Sequence, residues 1–378
     1  MNTYTFCVPC LLGTEGLTAD ELRYGGFAGV RAENGRVYFE GPLSQAARAN
    51  IRLRCGERVL LRLASFQALS FDDLFEGVKG LDWQDYLPAD AAFPVTGYCV
   101  DSQLHSVPDC QRIVKKAVVE RLKAAYGISW FEETGVKYQI RFALMNDRAE
   151  IYLDTTGAPL YKRGYRLATQ QAPLRETLAA SLVKLARYRG REELIDPFCG
   201  SGTIAIEAAM ACCQIAPGAR RSFDGEAWQF EDGLWSRQRE EAQSEEKIQK
   251  LPVSASDISA EAVELARQNA RRAGVEDCIG FRRAAALGLP YTGRRGTLIC
   301  NPPYGRRLLD QEEARRIYDG LGRALQGADS LKKYVLTADE GFEEAFGAKA
   351  DKRRKLYNGM IKCQLYMYFR QPASKEAE

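Results

Sequence analysis

Two stretches of the chain carry residue types whose spacing could do chemistry. The first is Ile195-Asp196-Pro197-Phe198-Cys199-Gly200-Ser201-Gly202-Thr203, and the second is Asn301-Pro302-Pro303-Tyr304-Gly305. In the second, the Asn301 side-chain oxygen and the Pro302 carbonyl are two hydrogen-bond acceptors on a backbone that the prolines keep stiff. An aromatic amine is a poor nucleophile because its lone pair is delocalised into the ring. Two acceptors on its hydrogens favour a more pyramidal nitrogen, and Tyr304 can stack on a base swung out of its helix. In-line transfer to such a nitrogen needs positioning and electrostatics, with no obligatory base. That suits a chain whose one histidine, His105, sits in a polar stretch. A histidine base, a Ser-His-Asp triad or a multi-histidine metal site is hard to build here.

The flanking patterns supply a scaffold for both stretches. Leu194 and Ile195 lead as a strand into Asp196, and the glycines at 200 and 202 precede the apolar helical run Ile204 to Met210. Glycines let a ligand approach the backbone, and helix amides with the Ser201 or Thr203 hydroxyls offer donors at the helix start. A lone Gly-x-Gly is common in tight turns. Its weight comes from the second stretch, which follows the apolar strand Leu298-Ile299-Cys300 and so falls at another strand tip, where open α/β sheets bind ligands. Between them, Val253 to Ser256 reads as a strand ending in Asp257, with a helix from Ala260 to Gly274. An acceptor-only group at that tip suits the two hydroxyls of a ribose, the alternative being a cap on the helix that follows.

Together these motifs resemble those of a class I S-adenosylmethionine-dependent methyltransferase that modifies an exocyclic amino group. The resemblance implies Asp196, Phe198, Gly200, Ser201, Gly202, Thr203, Asp257, Ile258 and Asn301 as cofactor-binding residues, and Asn301, Pro302, Pro303 and Tyr304 as the catalytic set. Farther upstream, Phe75 to Trp83 and Asp101 to Ala117 resemble a THUMP domain, an RNA-binding module found in bacterial rRNA guanosine-N2 methyltransferases. The strings Lys162-Arg163-Gly164-Tyr165-Arg166 and Ala172-Pro173-Leu174-Arg175-Glu176-Thr177 resemble the same family. By that resemblance S-adenosyl-L-methionine is the cofactor, 23S rRNA or a precursor particle is the partner, and N2-methylguanosine is the product. Arg112, Lys115 and Lys116 become the first RNA-contact candidates, Arg307 a candidate for a target phosphate, and Glu176 a neighbour of the cofactor's methionine end.

Two positions depart from the family pattern. Arg282-Arg283-Ala284-Ala285-Ala286 stands where an acid usually meets the adenine amino group, and Arg306 replaces a glutamate. Asn-Pro-Pro-Tyr also serves adenine N6 in DNA or RNA, and a non-catalytic RNA-binding assembly factor could retain the same fold.

The expected fold class is α/β: a class I, Rossmann-like methyltransferase domain behind ferredoxin-like and THUMP domains. Strand and helix signals from Thr3 to Ala64, with a hairpin at Asn34-Gly35 and a helix capped by Thr18, give a ferredoxin-like β-α-β-β-α-β order. The expected boundaries are 1–65 for that domain, 66–155 for the THUMP domain, 156–175 for a connector, 176–373 for the methyltransferase domain and 374–378 for a frayed tail. Residues 212–249 interrupt the Rossmann spacing as a packed excursion followed by an exposed helix. In the THUMP domain, Val107 to Tyr126 reads as an amphipathic helix with Ile113, Val114, Ala117, Val118, Leu122 and Ala125 as its apolar stripe.

With 53 basic and 50 acidic residues the net charge of +3 says little about partners, so local basic patches matter more than the total. The start lacks a signal-peptide pattern and no apolar run reaches membrane-span length, which predicts a cytoplasmic protein without a membrane partner. Eleven scattered cysteines suit a reducing compartment, with Cys7 and Cys10 as strand residues rather than metal ligands, and no metal is expected.

Overall fold

The computed structural model describes residues 3–166, 174–228, 233–303 and 308–369. Its first half runs β1 (Tyr4–Pro9), α1 (Glu15–Tyr24), β2 (Ala28–Glu33), β3 (Arg36–Gly41), α2 (Ser44–Arg52) and β4 (Leu60–Gln67). It continues with α3 (Phe71–Lys79), β5 (Val95–Val100), α4 (Val107–Tyr126), β6 (Ile140–Met145) and β7 (Arg148–Asp154).

These strands form one seven-stranded sheet in the order β2-β3-β1-β4-β7-β6-β5. The ferredoxin-like and THUMP parts therefore share a sheet. β4 pairs antiparallel with β1 through Leu60, Leu61 and Arg62, and with β7 from Leu60 to Gln67, so the expected boundary at 65/66 falls inside a strand. Strict alternation splits the two faces. Phe6, Val8, Val37, Phe39, Leu61, Ile140, Phe142 and Leu144 enter one core with the helices, whereas Cys7, Tyr38, Leu60, Ala143 and Tyr152 cluster on the other face.

Two local expectations need correction. Thr18 does not cap α1. The cap is Thr14, and Thr18 is buried within the helix with its hydroxyl donating to the Thr14 carbonyl at 3.2 Å. Glu15 draws the helix start upstream, because its carboxylate accepts the Gly13 amide (2.9 Å) and the Gly35 amide (3.0 Å) and ties the helix to the hairpin. On α4, Cys110 joins Val114, Ala117, Val118 and Leu122 in the buried stripe, while Ala125 near the helix end is exposed.

The second half begins with α5 (Glu176–Leu185), β8 (Glu193–Asp196), α6 (Thr203–Cys212) and α7 (Leu234–Ser244). Then come β9 (Val253–Asp257), α8 (Ala260–Ala273), β10 (Ile279–Arg283), β11 (Gly296–Cys300) and α9 (Leu308–Ala324). It closes with β12 (Leu331–Thr337), α10 (Phe342–Phe346), β13 (Lys352–Asn358) and β14 (Ile361–Tyr368). The sheet order is β10-β9-β8-β11-β12-β14-β13, parallel from β10 to β12 and closed by an antiparallel hairpin. Cores on both faces make three layers, one built with α5, α6 and α8 and the other with α9 and α10. The connection direction reverses at β8, so the tips of β8, β9 and β11 surround the switch point.

Residues 212–249 are a clamp between the halves. Ala216, Ala219, Phe223, Trp228 and Ala242 enter the core of the first sheet. Trp228 stacks on Tyr138 with centroids 4.9 Å apart and donates its ring N–H to the Lys137 carbonyl at 2.9 Å. Arg52 of α2 pairs with Glu241 and Glu245 at the end of α7, so this helix is less free than its charge suggests.

Candidate functional site

The loop from β8 to α6 is built on positive φ angles, 49° at Gly200 and 85° at Gly202. At Gly202 a Cβ would lie 3.0 Å from the Ala266 Cβ, so glycine is required both by the turn and by the closeness of α8. Cross-bonds hold the loop open. The Gly200 amide donates to Asp257 Oδ2 at 3.0 Å, the Cys199 amide to the Ser256 carbonyl at 2.9 Å, and Asn269 Nδ2 to the Ser201 carbonyl at 3.0 Å.

Asp257 is not the cap of α8. Ser259 is, its hydroxyl accepting the Ala262 amide at 3.0 Å. The Asp257 carboxylate instead bridges the Gly200 amide and, through Oδ1, the Ser259 amide at 3.0 Å. A carboxylate has about four lone-pair sites, so acceptor capacity remains for a ligand. Ile258 beside it is 69% exposed, an apolar side chain presented at the strand tip.

Asp196 and Asn301 lie on neighbouring strands, since β8 and β11 pair through Ile195 and Leu298. Asp196 is 1% exposed, and among the described residues neither of its carboxylate oxygens has a hydrogen-bond partner at close range; the buried Asn301 Oδ1 has none there either. Burial pushes the Asp196 carboxyl up to about 8, the Phe198 amide opposing the rise and the nearby Asp257 charge adding to it. Pro302 is buried and Pro303 exposed. The Pro303 carbonyl accepts the Tyr318 hydroxyl at 3.1 Å, and that hydroxyl also meets Thr337 Oγ1 at 2.9 Å. Tyr318, fully buried on α9, thus holds the Asn-Pro-Pro turn from behind. Tyr304 and Arg307 lie outside the described residues, as do the expected tail, 374–378, and the last residues, 370–373, of the expected methyltransferase domain.

Arg166 closes the site from the connector. Its Nε donates to Glu176 Oε1 at 3.0 Å, and Nη2 to the Leu174 carbonyl at 2.9 Å and Thr203 Oγ1 at 3.1 Å, while the buried Nη1 has no hydrogen-bond partner among the described residues. Glu176 is thereby in a salt bridge, and burial raises its carboxyl pKa against the pull of Arg166. Thr203 uses its hydroxyl on Arg166, and Gly202 is the residue that caps α6. Arg166, Asn269 and Tyr318 carry no motif spacing of their own. Only the Lys-Arg-Gly-Tyr-Arg string offered a signal for the first.

On the far module, the three α4 cations differ. Lys115 ion-pairs with Glu133, donates to the Phe93 carbonyl at 3.1 Å and sits 3.5 Å from the Phe93 ring centroid, so its ammonium is already engaged. Arg112 is exposed beside Asp109, and Lys116 lies 5.5 Å over the Phe75 ring.

The buried Asp196 carries a pH prediction. Its folded pKa lies above the unfolded value, so the unfolded state binds fewer protons and stability falls as pH rises toward about 8. Urea titrations of cofactor-free protein between pH 5 and 8 should show this fall, of up to about 1.4 kcal/mol per pH unit from this group. Asp196→Asn should flatten it; an unchanged slope would mean that Asp196 is ionised in the free site.

The doubly wound sheet, closed by an antiparallel hairpin and with open polar groups at its switch point, has the architecture of a class I methyltransferase. Residues 163–367 match the RMKL-like methyltransferase domain, residues 5–60 the RlmL ferredoxin-like domain and residues 68–154 the THUMP domain. The "Putative RNA methyltransferase YpsC" of Bacillus subtilis (strain 168) is 42% identical over 384 residues, with 100% of both chains covered. The ribosomal RNA large subunit methyltransferase K/L of Psychromonas ingrahamii is 34% identical over 96% of this chain and 50% of its own length. The chain thus spans about half the length of that relative. A crystal structure of "SMU.472, a putative methyltransferase complexed with SAH" matches with a TM-score of 0.91 and 38% identity, covering 99% of this chain and 100% of the other. The chain belongs to the RMKL-like methyltransferase family, and its cofactor is S-adenosylmethionine. The open groups fit that molecule: Asp196 offers a carboxyl that an incoming ammonium favours in its ionised form, Arg166 Nη1 a donor for a carboxylate, and Asp257 its remaining lone pairs for a ribose.

Among the described residues no helix is long and apolar enough to cross a membrane, and no group of three or more His, Cys, Asp or Glu side chains is arranged to hold a metal ion. All eleven cysteines are free thiols.

Proposed function

We propose that the chain methylates the exocyclic N2 amine of guanine in large-subunit ribosomal RNA. The observation that carries the reading is the unsatisfied, buried Asn301 Oδ1 at the tip of β11, on the strand next to Asp196. A buried acceptor without a partner costs stability unless a ligand supplies the donor, and an aromatic amine has two hydrogens to give. Asn301 Oδ1 and the Pro302 carbonyl take those hydrogens and orient the nitrogen lone pair toward the cofactor. Tyr318 keeps the turn from relaxing by holding the Pro303 carbonyl.

The cofactor supplies a methyl carbon activated by a sulfonium. Asp196 would hold its ammonium and Arg166 Nη1 its carboxylate, with Phe198, Gly200, Ser201, Gly202 and Thr203 around its methionine end. Asp257 would take the ribose hydroxyls, with Ile258 offered to the adenine. The tip of β10 offers no acid there: Arg283 turns its Nε to the Ile258 carbonyl at 3.1 Å, so adenine recognition rests on apolar contact and backbone. Tyr304 and Arg307 complete the proposed set on the base and a phosphate.

An RNA substrate follows from the THUMP module and the relatives' names, and the large-subunit target from the K/L relatives, whose name specifies it. The test is transfer of labelled methyl to unmodified ribosomal RNA and to DNA, followed by digestion to nucleosides and chromatography. Label in N2-methylguanosine is expected. Label in N6-methyladenine would reassign the amine, and absence of both label and cofactor-binding heat would favour a non-catalytic factor.

A further inference from the structure

The open face of the joined N-terminal sheet carries an array that neither the family matches nor the methyl-transfer site explains. Because β4 pairs with both β1 and β7, this face runs unbroken from β2 to β5. A concavity of about 890 Å³ lies on it, and four of its lining residues are arginines, Arg31, Arg36, Arg62 and Arg148, against two acids, Glu33 and Glu150.

Its floor is a fixed network. Glu150, 6% exposed, accepts Arg36 Nη1 at 2.6 Å, the Tyr38 hydroxyl at 2.7 Å, the Tyr152 hydroxyl at 2.6 Å and Arg62 Nη1 at 3.3 Å. Arg31, Arg36 and Arg62 also crowd the Tyr38 ring, with guanidinium carbons 4.5, 5.4 and 5.3 Å from its centroid. One carboxylate thus serves two guanidiniums, Glu33 pairs with Arg36 at 3.2 Å and with Arg31 at 3.7 Å, and four arginines against two acids leave an excess of two positive charges among the six charged lining residues. Arg148 leans on Ser65 Oγ at 2.7 Å, and an aromatic ring completes the array. Tyr98 on β5, 46% exposed, pairs across the sheet with Ala143, which pairs with Glu150, so all three share this face.

We propose that this face is a platform for single-stranded RNA, its arginines taking phosphates and Tyr98 stacking a base. The proposal rests on the RNA methyltransferase reading and places substrate capture on the sheet rather than on α4. A sheet with exposed rings suits unpaired bases, whose faces are free, whereas an A-form duplex offers only backbone and a shallow groove. Fixed guanidiniums suit phosphate oxygens in planar, bidentate geometry.

The test is fluorescence anisotropy of the full chain with a labelled single-stranded ribosomal RNA oligonucleotide, across a salt series. The variant Arg31→Ala/Arg148→Ala/Tyr98→Ala removes only exposed groups and spares the Glu150 network. We expect affinity to fall at least about 30-fold and the slope of log affinity against log salt to shrink by about 1.4, two phosphate contacts' worth. Tyr98→Ala alone should cost about tenfold without changing the slope. Unchanged affinity and slope in the triple variant would overturn the proposal, as would tighter binding of a duplex than of the single strand. So would a loss confined to Arg112→Ala/Lys116→Ala on α4. Heat of S-adenosylhomocysteine binding separates failures: wild type that binds cofactor and methylates RNA while the triple variant matches it refutes the platform alone. Wild type without RNA binding refutes both readings.

Discussion

Asn301→Ala is expected to lower kcat for methyl transfer by about 1,000-fold or more while S-adenosylhomocysteine binds within about threefold of wild type. The magnitude follows from removing one preorganised hydrogen-bonding group at a reacting atom, which costs on the order of 100- to 1,000-fold. Here a second effect adds to it, since a planar amine that has lost its acceptor presents a delocalised lone pair. The acceptor's value lies in orienting the nitrogen during reaction, so kcat should carry the loss and KM for RNA should move little. Asn301→Asp sharpens the test: it keeps an acceptor but adds an ionisable carboxyl at the tip of the strand next to the buried Asp196, and the ionised form of each disfavours that of the other. Its activity should therefore fall and depend more steeply on pH than that of wild type. Single-turnover methylation and calorimetry measure both arms. Residual turnover of Asn301→Ala above about a tenth of wild type would remove Asn301 from the chemistry.

Much of this architecture was legible because local rules and global packing agree. The Gly-x-Gly turn, the helix at Val107 to Tyr126 and the hairpin at Asn34-Gly35 fall where spacing and turn chemistry place them, and the Rossmann-like order follows from alternating strand and helix patterns. What stayed hidden is long-range. Nothing in the pattern of β4 tells that it has partners on both sides, since an alternating strand reads the same at an edge and in mid-sheet. The packed excursion within residues 212–249 carries no sign in its sequence of what it packs against. A Cβ at Gly218 would sit 2.6 Å from the Asn50 carbonyl, a close approach visible only after folding.

Site residues divide the same way. Asp196, Asp257 and Asn301 sit at strand tips that periodicity locates, and their placement needs only the sheet order. Arg166 and Tyr318 act through contacts 37 and 15 residues away in sequence, to Thr203 and Pro303, and carry no spacing signal. Lys115 shows what a basic run does not tell. It lies in a basic run, but its position on the helix turns it to Glu133 and Phe93, whereas the arginines across the first sheet are spread over several strands and form no run at all.

The junction of connector and methyltransferase domain supports the remaining large effect: Glu207→Ala should lower unfolding stability by about 3–5 kcal/mol. Glu207 lies on α6 with no exposed surface, and its partner Arg163 is 4% exposed. Arg163 Nε donates to Glu207 Oε1 at 3.3 Å, Nη1 to the Leu160 carbonyl at 2.7 Å and Nη2 to the Arg54 carbonyl at 2.6 Å, while the Tyr165 hydroxyl donates to Glu207 at 3.2 Å. Removing the carboxylate leaves a guanidinium and a hydroxyl buried without their acceptor, and that loss of compensation sets the size of the effect. Removing both charges, as Arg163→Met/Glu207→Leu, should recover part of the loss; the recovery is incomplete because the Leu160 and Arg54 carbonyls then lose their donor. Urea unfolding at fixed pH, followed by tryptophan fluorescence, measures each variant. A single-variant loss below about 1 kcal/mol would show water reaching the pair. Because α6 begins at the glycine loop, the same network ties connector, first sheet and cofactor site together. The Glu207 variant should then also weaken S-adenosylhomocysteine binding, although the hydrogen-bond partners of its carboxylate among the described residues are Arg163 and Tyr165, neither assigned to the cofactor.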